Sequence, residues 1–447
     1  MDRRKFVAAI VSGGVVSSLA KEKSISGNID SDYDVVVVGG GVSGIIAALQ
    51  SGRSGLNTLI VESSSQLGGT MTTAGINSPG LFHAWGNQVI AGIGWELVSK
   101  TVQAHGDKFP DFSKFDNPAF WELQVTLNEY LYSCLAEEEI LKTGIHILYY
   151  MSPESVEECG GGYKLSIVGK SSRKSVFAKR VIDCTGNAAV VDMAGFRRLR
   201  GNVIQPGTLD FEFENFDASK ITREEFFIAK KNAIKNGELL RSDIYGDLYR
   251  LVSFKGRNCE HLADADSSNA QIQSSSNIRG RESFLRIFRF LKKLKGFENV
   301  RIKNVKTEVG VRESFRIDAL HNITVDEYVS AKRYPDGVCY SFYHIDLHDD
   351  KGARARRLKK GVVPCVPLSA LIPKSSKFMI AAGRHVGSDR LANSALRIQA
   401  SCMAMGQVAG AACAVSIRNS CPIAEVDINQ VRTILSENGA ILPPLGK

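Results

Sequence analysis

The sequence lacks the cysteine patterns that mark disulfide frameworks and zinc sites. Its nine cysteines are widely spaced, with no Cys-x-x-Cys pair and no histidine and cysteine cluster at zinc-ligand spacing. We therefore predict no metal site. Most of these thiols, such as Cys402 and Cys413 among small apolar neighbours, are interpreted as small core residues.

Motifs that read nucleic acids are also missing. The formal charge of +9 is spread along the chain, apart from a basic cluster at residues 354–360, and no aromatic stripe accompanies it. We predict no nucleic-acid partner. The apolar run at residues 8–20 is too short and too polar for a membrane span, which needs about twenty apolar residues, so no stable span is predicted.

What the chain does have is enough length and apolar content for a deep ligand site. Its 447 residues are 44% hydrophobic and 23% charged, which is typical of a globular protein. Because this length exceeds what one hydrophobic core usually organises, we expect two interleaved domains.

The N-terminus has the anatomy of an export signal. Arg3 and Arg4 precede the modestly apolar run, which ends in small residues near Ala20. The arginine pair resembles a twin-arginine signal, which exports folded cargo and would suit a protein that acquires its cofactor first. We predict a signal peptide at residues 1–20 and a periplasmic or otherwise exported protein; the alternative is a frayed basic N-terminus.

A nucleotide-binding unit follows. Residues 34–38 form a β-branched run that predicts a buried parallel strand, and three spaced glycines then open a helix over residues 42–53. Such glycines permit a tight turn, close approach of a pyrophosphate and close helix packing, while the helix N-terminus faces the phosphates. The predicted residues of this loop are Gly39, Gly41, Val42, Ser43 and Gly44.

Glu62 follows the second predicted strand, residues 57–61, at the position where a carboxylate binds the ribose. Strand, glycines, helix, strand and acid thus occur in order. This spacing alone fits NAD as well as FAD.

Three later blocks favour FAD. Gly68, Gly69 and Thr70 resemble the second glycine pair of glutathione-reductase-like flavoproteins, and residues 180–186 resemble their Thr-Gly strand end. Residues 378–384 predict a last strand, followed by a helix over residues 394–417. The further cofactor-binding residues predicted from these blocks are Thr185, Gly186, Gly383 and Arg384.

Taken together, the chain from residue 33 to residue 419 resembles the FAD-dependent oxidoreductase family related to fumarate reductase and succinate dehydrogenase flavoproteins, in particular an exported bacterial branch. The matching blocks are residues 80–86, 206–211, 310–317 and 397–410. At His344 relatives tend to have proline. The histidine that attaches flavin covalently in distant members is absent from residues 67–71, so we expect no covalent attachment there.

The resemblance implies an α/β fold with a discontinuous Rossmann-type FAD-binding domain, residues 33–200 and 360–447. An α+β substrate domain, residues 201–359, is inserted into it and caps the flavin. Within this insert an apolar helical pattern near residues 280–295 predicts core packing rather than a membrane or nucleic-acid surface.

For chemistry, the protein must hold a substrate against flavin N5, stabilise an anionic ring near N1 and manage one proton. The N-terminal amides of the helix at residues 401–410, with Ser401 and Met403, are predicted to stabilise the negative charge of the flavin ring. Imidazole titrates near working pH, so the proton candidates are His348, then His344 and His83.

Arg312 and Arg316, four apart, would share a face if their segment is helical. With Arg384 they could bind a substrate carboxylate or the flavin pyrophosphate; ion pairing with Glu313 or Asp318 is the alternative. Arg312 is the third predicted catalytic residue.

The leading hypothesis is a dehydrogenase or oxidase that transfers a hydride from a small organic substrate to flavin N5, with an unidentified electron acceptor. A flavin monooxygenase or halogenase is one alternative, although Trp85, Trp95 and Trp121 form no Trp-x-Trp-x-Ile signature. A non-catalytic electron-relay subunit is another.

Overall fold

The protein is described by a computed structural model that covers residues 31–116, 120–243, 248–249, 257–349 and 352–446. The predicted signal peptide, residues 1–20, lies outside the described residues.

Strands and helices alternate along the first part of the chain, as the sequence predicts. The strands are β1 (Asp32–Val38), β2 (Thr58–Val61), β3 (His83–Ala84), β4 (Asn87–Gln88), β5 (His146–Leu148), β6 (Ser152–Cys159), β7 (Gly162–Gly169), β8 (Ser172–Asp183), β9 (Arg198–Leu199), β10 (Gly207–Glu214), β11 (Arg257–Leu262), β12 (Arg301–Val305), β13 (Arg316–Ile317), β14 (Gly337–Tyr340), β15 (Ile345–Asp349), β16 (Gly352–Arg356), β17 (Cys365–Pro367) and β18 (Met379–Ala381). The α-helices are α1 (Val42–Arg53), α2 (Ile93–His105), α3 (Glu129–Lys142), α4 (Ala189–Met193), α5 (Arg223–Lys235), α6 (Ala270–Leu291), α7 (Val325–Ser330), α8 (Arg390–Leu396), α9 (Gln399–Arg418) and α10 (Ile428–Glu437).

A seven-stranded sheet in the order β5-β2-β1-β8-β7-β6, with β18 also paired to β8, carries the ligand cleft. β1, β2, β5, β8 and β18 are parallel, and β1 is buried because its valines pack under helices. Carboxyl ends of parallel strands meet at one edge, which is where such sheets bind ligands. The predicted Rossmann-type α/β architecture is confirmed.

Helices α1 and α9 cross at very short range. A Cβ added at Gly406 of α9 would lie 2.2 Å from the carbonyl oxygen of Ser43 in α1. At Gly410 it would lie 2.7 Å from the carbonyl oxygen of Ala47. The late helix therefore fixes the first turn of α1, which is the turn that faces the cleft.

A second hydrophobic cluster lies in the predicted substrate domain. β10 pairs with β11 and β12, and α6 packs its buried Phe284, Ile287 and Phe290 against Phe211 and other residues of β10. The predicted core role of this helix is confirmed, with bounds of Ala270–Leu291 instead of residues 280–295.

One prediction of local structure is wrong, and a helix on which another expectation depended is absent from the described residues. The helix predicted over residues 394–417 is two helices, α8 and α9, separated at Arg397 and Ile398, where Ile398 adopts an extended conformation. The segment with Arg312 and Arg316 is not helical: Arg316 lies in β13 and donates to the carbonyl oxygen of Ser388. The two arginines therefore do not share a helix face.

Within the described residues, α9 is long and apolar enough to cross a membrane, with a mean hydropathy of 1.5. It is packed as a core helix, because 89% of this apolar window is buried inside the fold.

Candidate functional site

Of the three spaced glycines in and after the loop between β1 and α1, one has free space beside its Cα atom. Gly39 has φ of +102°, and a Cβ there would lie 2.5 Å from the carbonyl oxygen of Cys184. At Gly44 a Cβ would lie 1.8 Å from the carbonyl oxygen of Gly39. A Cβ at Gly41, by contrast, would meet nothing within 4 Å. Gly39 and Gly44 therefore serve packing, while Gly41 faces the space where a ligand can approach.

Glu62, at the end of β2, is tied to this loop. One carboxylate oxygen accepts from the backbone N–H of Gly40 at 2.7 Å, and the other accepts from that of Ser64 at 2.6 Å. The second glycine pair packs on the same loop, since the N–H of Gly68 donates to the carbonyl oxygen of Gly40 at 2.8 Å. The first strand, the acid and the second glycine pair thus form one unit.

The end of β8 forms the opposite wall. Asp183 accepts from the hydroxyl of Thr185 at 2.7 Å and from the N–H groups of Val190 and Val191 in α4 at 3.0 Å, which fixes the Thr185-Gly186 turn. Because β18 lies beside β8, Arg384 reaches this turn and its Nε donates to the carbonyl oxygen of Gly186 at 2.7 Å.

These elements surround a cleft with a cavity volume of about 420 Å³. Most of the predicted cofactor-binding residues line it, namely Gly39, Gly41, Val42, Ser43, Glu62, Gly68, Gly69, Thr70, Thr185, Gly186, Gly383 and Arg384. Gly44 is not among the lining residues and packs against Gly39 and Cys184. Ser401 and Met403 are not among its lining residues: the hydroxyl of Ser401 pairs with that of Ser341, and Met403 packs against Gly94.

The cleft also contains residues that sequence reasoning missed. Near Glu62 they are Met151, Ser152, Pro153 and Glu308, and near the start of α9 they are Arg397, Gln399 and Cys402. Gln399 and Cys402 replace Ser401 and Met403 as the cleft-lining residues of α9. Gln399 and Cys402 are three residues apart and so share a helix face. The sequence could have indicated this face only if the first residue of the helix had been known.

Three buried polar atoms of cleft-lining side chains have no hydrogen-bond partner within the described part of the chain. They are Oδ1 of Asn187, Nε of Arg397 and Oε1 of Gln399. Leaving such an atom unpaired costs about 1–3 kcal/mol. A polar ligand is therefore expected to complete these groups.

Arg384 places positive charge in the cleft. Its guanidinium donates to the carbonyl oxygens of Gly186 and Val311, and no carboxylate among the described residues pairs with it. Burial lowers the pKa of Arg384 to about 10, which leaves it protonated at neutral pH. A partly buried cation that no carboxylate of the described residues neutralises favours an anionic ligand.

A polar network leads away from the cleft through Arg397. Its Nη2 donates to Oδ2 of Asp346 at 3.1 Å, and the same oxygen lies 3.0 Å from Nε2 of His348. The ring of His348 stacks on that of His261, with centroids 5.2 Å apart, and Arg312 lies 2.8 Å from His261. The structure thus brings the predicted His348 and Arg312 together, although neither lines the cleft.

The other two predicted histidines lie elsewhere. Nδ1 of His344 accepts from the backbone N–H of Leu358, and the ring packs against Phe120. His83 stacks on Phe112 with ring centroids 3.7 Å apart. Burial lowers the pKa of each to about 4, and neither lines the cleft.

A family model described as FAD dependent oxidoreductase matches residues 34–435 of the chain. The protein belongs to this family. The match includes the nucleotide-binding loop and the predicted substrate segment, so it concerns nearly the whole described chain.

Curated relatives of this FAD-dependent oxidoreductase match over shorter stretches. Pseudooxynicotine dehydrogenase from Pseudomonas sp is 39% identical over 89 residues, which are 17% of this chain and 18% of that protein. Dihydrolipoyl dehydrogenase 3 from Pseudomonas putida is 31% identical over 165 residues, which are 35% and 31% of the two chains. The matched stretches thus span less than a third of the length of these relatives.

Two solved structures have a similar backbone arrangement over most of the chain. A geranylgeranyl bacteriochlorophyll reductase-like protein from Thermoplasma acidophilum has a TM-score of 0.43 at 13% identity and covers 91% of this chain and 83% of its own. A myxobacterial chondrochloren halogenase has a TM-score of 0.43 at 9% identity, with 92% and 79% covered.

FAD is the cofactor of this oxidoreductase, and the cleft suits it. Gly41 allows close approach of a pyrophosphate, Glu62 is placed for a ribose, and Arg384 supplies a partly buried positive charge. The unpartnered atoms of Asn187, Arg397 and Gln399 are available for hydrogen bonds to other polar groups of FAD.

Proposed function

We propose that this oxidoreductase is a dehydrogenase or oxidase that removes a hydride from a C–H bond and a proton from an adjacent O–H or N–H group of a small organic substrate. FAD supplies the two-electron acceptor, at flavin N5. The protein's own task is then to orient the substrate, exclude water and accept one proton.

The observation that carries the proposal is the pairing of His348 with Asp346. The pKa of Asp346 is about 2: burial opposes ionisation, but the hydrogen bond from His348 and the charge of Arg397 outweigh it. An ionised carboxylate only accepts hydrogen bonds, so Nε2 of His348 carries the proton in this pair. Nδ1 is then left with a lone pair, and it has no partner among the described residues.

The charge state of His348 supports the same role. Burial lowers its pKa below the ordinary value of 6.5, and Arg312 adds to the effect, while Asp346 partly opposes it. His348 is then neutral at neutral pH and can accept a proton at Nδ1. Arg397 lines the cleft and donates to Asp346, so the pair of His348 and Asp346 lies directly behind the cleft wall. We also propose that residues 201–359 act as the substrate domain.

The test begins with a dye-linked oxidation screen over small acids, amines and alcohols, with oxygen consumption measured in parallel. On a substrate found in this way, His348→Gln should lower kcat/KM by about 10²–10⁴-fold, since it removes the proton acceptor. The wild-type value should fall in acid, at a pH below the ordinary histidine pKa, because burial lowers the pKa of His348; the variant should lose this acidic limb.

His105→Gln is the matched control, because His105 is exposed and pairs only with Asp107 and Asn128 among the described residues. It should keep the wild-type rate and pH profile, and both variants should retain bound FAD. A His348→Gln enzyme with unchanged kcat/KM and an intact acidic limb would rule out this base. Incorporation of oxygen into the product would favour a monooxygenase. A flavin that dithionite reduces but no substrate reduces would favour an electron-relay subunit.

We further propose that the protein is exported through its twin-arginine-like signal and works in the periplasm. The support is the sequence pattern at Arg3 and Arg4, together with a cofactor that would be bound before export.

A further inference from the structure

Two unpartnered atoms flank the start of helix α9. Nε of Arg397 and Oε1 of Gln399 are buried, belong to residues that line the cleft, and lack hydrogen-bond partners within the described residues. The side chain of Arg397 is 10% exposed and Gln399 is 8% exposed, so both are about nine-tenths buried in the cleft wall.

Another polar atom of each side chain makes hydrogen bonds, and these determine whether the unpaired atom is a donor or an acceptor. Nε2 of Gln399 donates to the carbonyl oxygen of Ile76 at 2.9 Å, which leaves Oε1 as a pure acceptor. Nη2 of Arg397 donates to Asp346, which leaves Nε as a donor. A donor and an acceptor two residues apart are complementary to a ligand edge that carries a C=O beside an N–H.

The surroundings of Arg397 indicate which end of FAD it meets. Glu62, which marks the ribose end, has Glu308 as a charged neighbour. Burial raises the pKa of Glu308, and the negative charge of Glu62 raises it further. Arg397 instead pairs with Asp346 and lies near Arg384, which contacts the Thr185-Gly186 turn. These different neighbours favour placing Arg397 and Gln399 at the end of the cleft away from Glu62, where the flavin ring would lie.

We propose that Arg397 and Gln399 recognise the pyrimidine edge of the flavin ring, with Nε of Arg397 donating to a ring carbonyl and Oε1 of Gln399 accepting from N3–H. This inference rests on FAD as the cofactor but not on the identity of the substrate. The helix start then both favours negative charge on the ring and selects its orientation.

The test compares the dissociation constants of FAD and N3-methyl-FAD, measured by flavin fluorescence on apoprotein without any substrate. N3-methyl-FAD lacks the donor, so wild-type protein should bind it about tenfold or more weakly than FAD. In Gln399→Ala the two constants should agree within about twofold. Asn187→Ala is the matched control, because Asn187 also lines the cleft and also has an unpartnered side-chain oxygen.

Equal affinity of wild-type protein for the two ligands would overturn the proposal without any variant, which matters if Gln399→Ala does not fold. An unchanged preference in Gln399→Ala, or a preference lost in Asn187→Ala instead, would also overturn it. Failure of the His348 base leaves this experiment unaffected, because binding is measured without turnover.

Discussion

At the scale of single residues, the three glycines of the loop after β1 have different roles. Gly39 and Gly44 are required because backbone atoms occupy the space of a Cβ, whereas Gly41 has open space. The sequence spacing assigned these roles in general form. The distances show that only Gly41 can be changed without disturbing the fold itself.

This distinction gives a prediction for Gly41→Val. Gly41 has an extended backbone, with φ of −67° and ψ of 179°, which valine adopts readily. We expect apoprotein of unchanged thermal stability, but an FAD dissociation constant raised at least about tenfold, equivalent to ~1.4 kcal/mol. Thermal unfolding of apoprotein and a flavin fluorescence titration measure the two effects.

Gly44→Ala is the comparison variant, since its Cβ would lie 1.8 Å from a carbonyl oxygen. It should destabilise the apoprotein as well as weaken FAD binding. Wild-type FAD affinity in Gly41→Val would show that the pyrophosphate does not approach this loop.

The sequence located the phosphate loop and the ribose acid because both follow from the order of elements along the chain. It did not find Arg397 or Gln399, whose roles depend on where α9 begins and on what Asp346 and Ile76 contact. Sequence spacing carries no information about these long-range partners. His348 was singled out by its block, but its pairing with Asp346 required the structure.

At the scale of elements, the crossing of α1 and α9 positions the cleft. The two helices approach so closely at Gly406 that a side chain there would meet the backbone of Ser43. Ser43 lines the cleft in the first turn of α1. A change in α9 is therefore expected to act on the nucleotide site through packing alone.

We predict that Gly406→Leu lowers the free energy of unfolding by about 1–3 kcal/mol, because it overpacks this crossing. FAD binding should weaken in parallel, since Ser43 must move. Chemical denaturation and an FAD titration measure the two quantities.

Gly201→Ala is the control, because its Cβ would meet its nearest neighbours at 3.4 Å or more, an ordinary contact distance. It should change the free energy of unfolding by less than about 0.5 kcal/mol. Normal stability of Gly406→Leu would mean that the two helices are less tightly packed than the structure indicates.

Element boundaries were harder to predict than element types. The helix after β18 was predicted as continuous, but it is interrupted at Arg397 and Ile398. The residues on both sides of the break are good helix formers or small residues, so periodicity alone does not reveal it. The interruption is what brings Arg397 and the first residue of α9 to the cleft.

At the scale of the whole molecule, two hydrophobic clusters are joined beside the cleft. Lys306, which follows β12, pairs with Glu129 at the start of α3 at 2.5 Å, and both side chains are buried. The adjoining Glu308, Val309 and Val311 line the cleft. The predicted substrate segment therefore contributes directly to the cofactor site.

Export is a property of the whole chain, and the proposal for it can be tested separately. Replacing Arg3 and Arg4 by lysine should retain the protein in the cytoplasm, because twin-arginine signals depend on the arginine pair. Cell fractionation of the wild-type and double-variant proteins, each with FAD content measured, would detect this. Unchanged export would remove the twin-arginine assignment while leaving the cofactor site untouched.

The sequence by itself determined the α/β class and the nucleotide-binding unit, because these depend on local periodicity and on glycine and acid spacing. The choice of FAD came from the resemblance of later blocks to known flavoproteins. Only the tertiary structure decided which atoms of α9 face the cleft and which histidine is held by a carboxylate. Those facts arise where residues distant in the chain meet, as Gly406 meets Ser43 and Arg397 meets Asp346. No local pattern encodes such contacts, since they depend on how the whole chain packs.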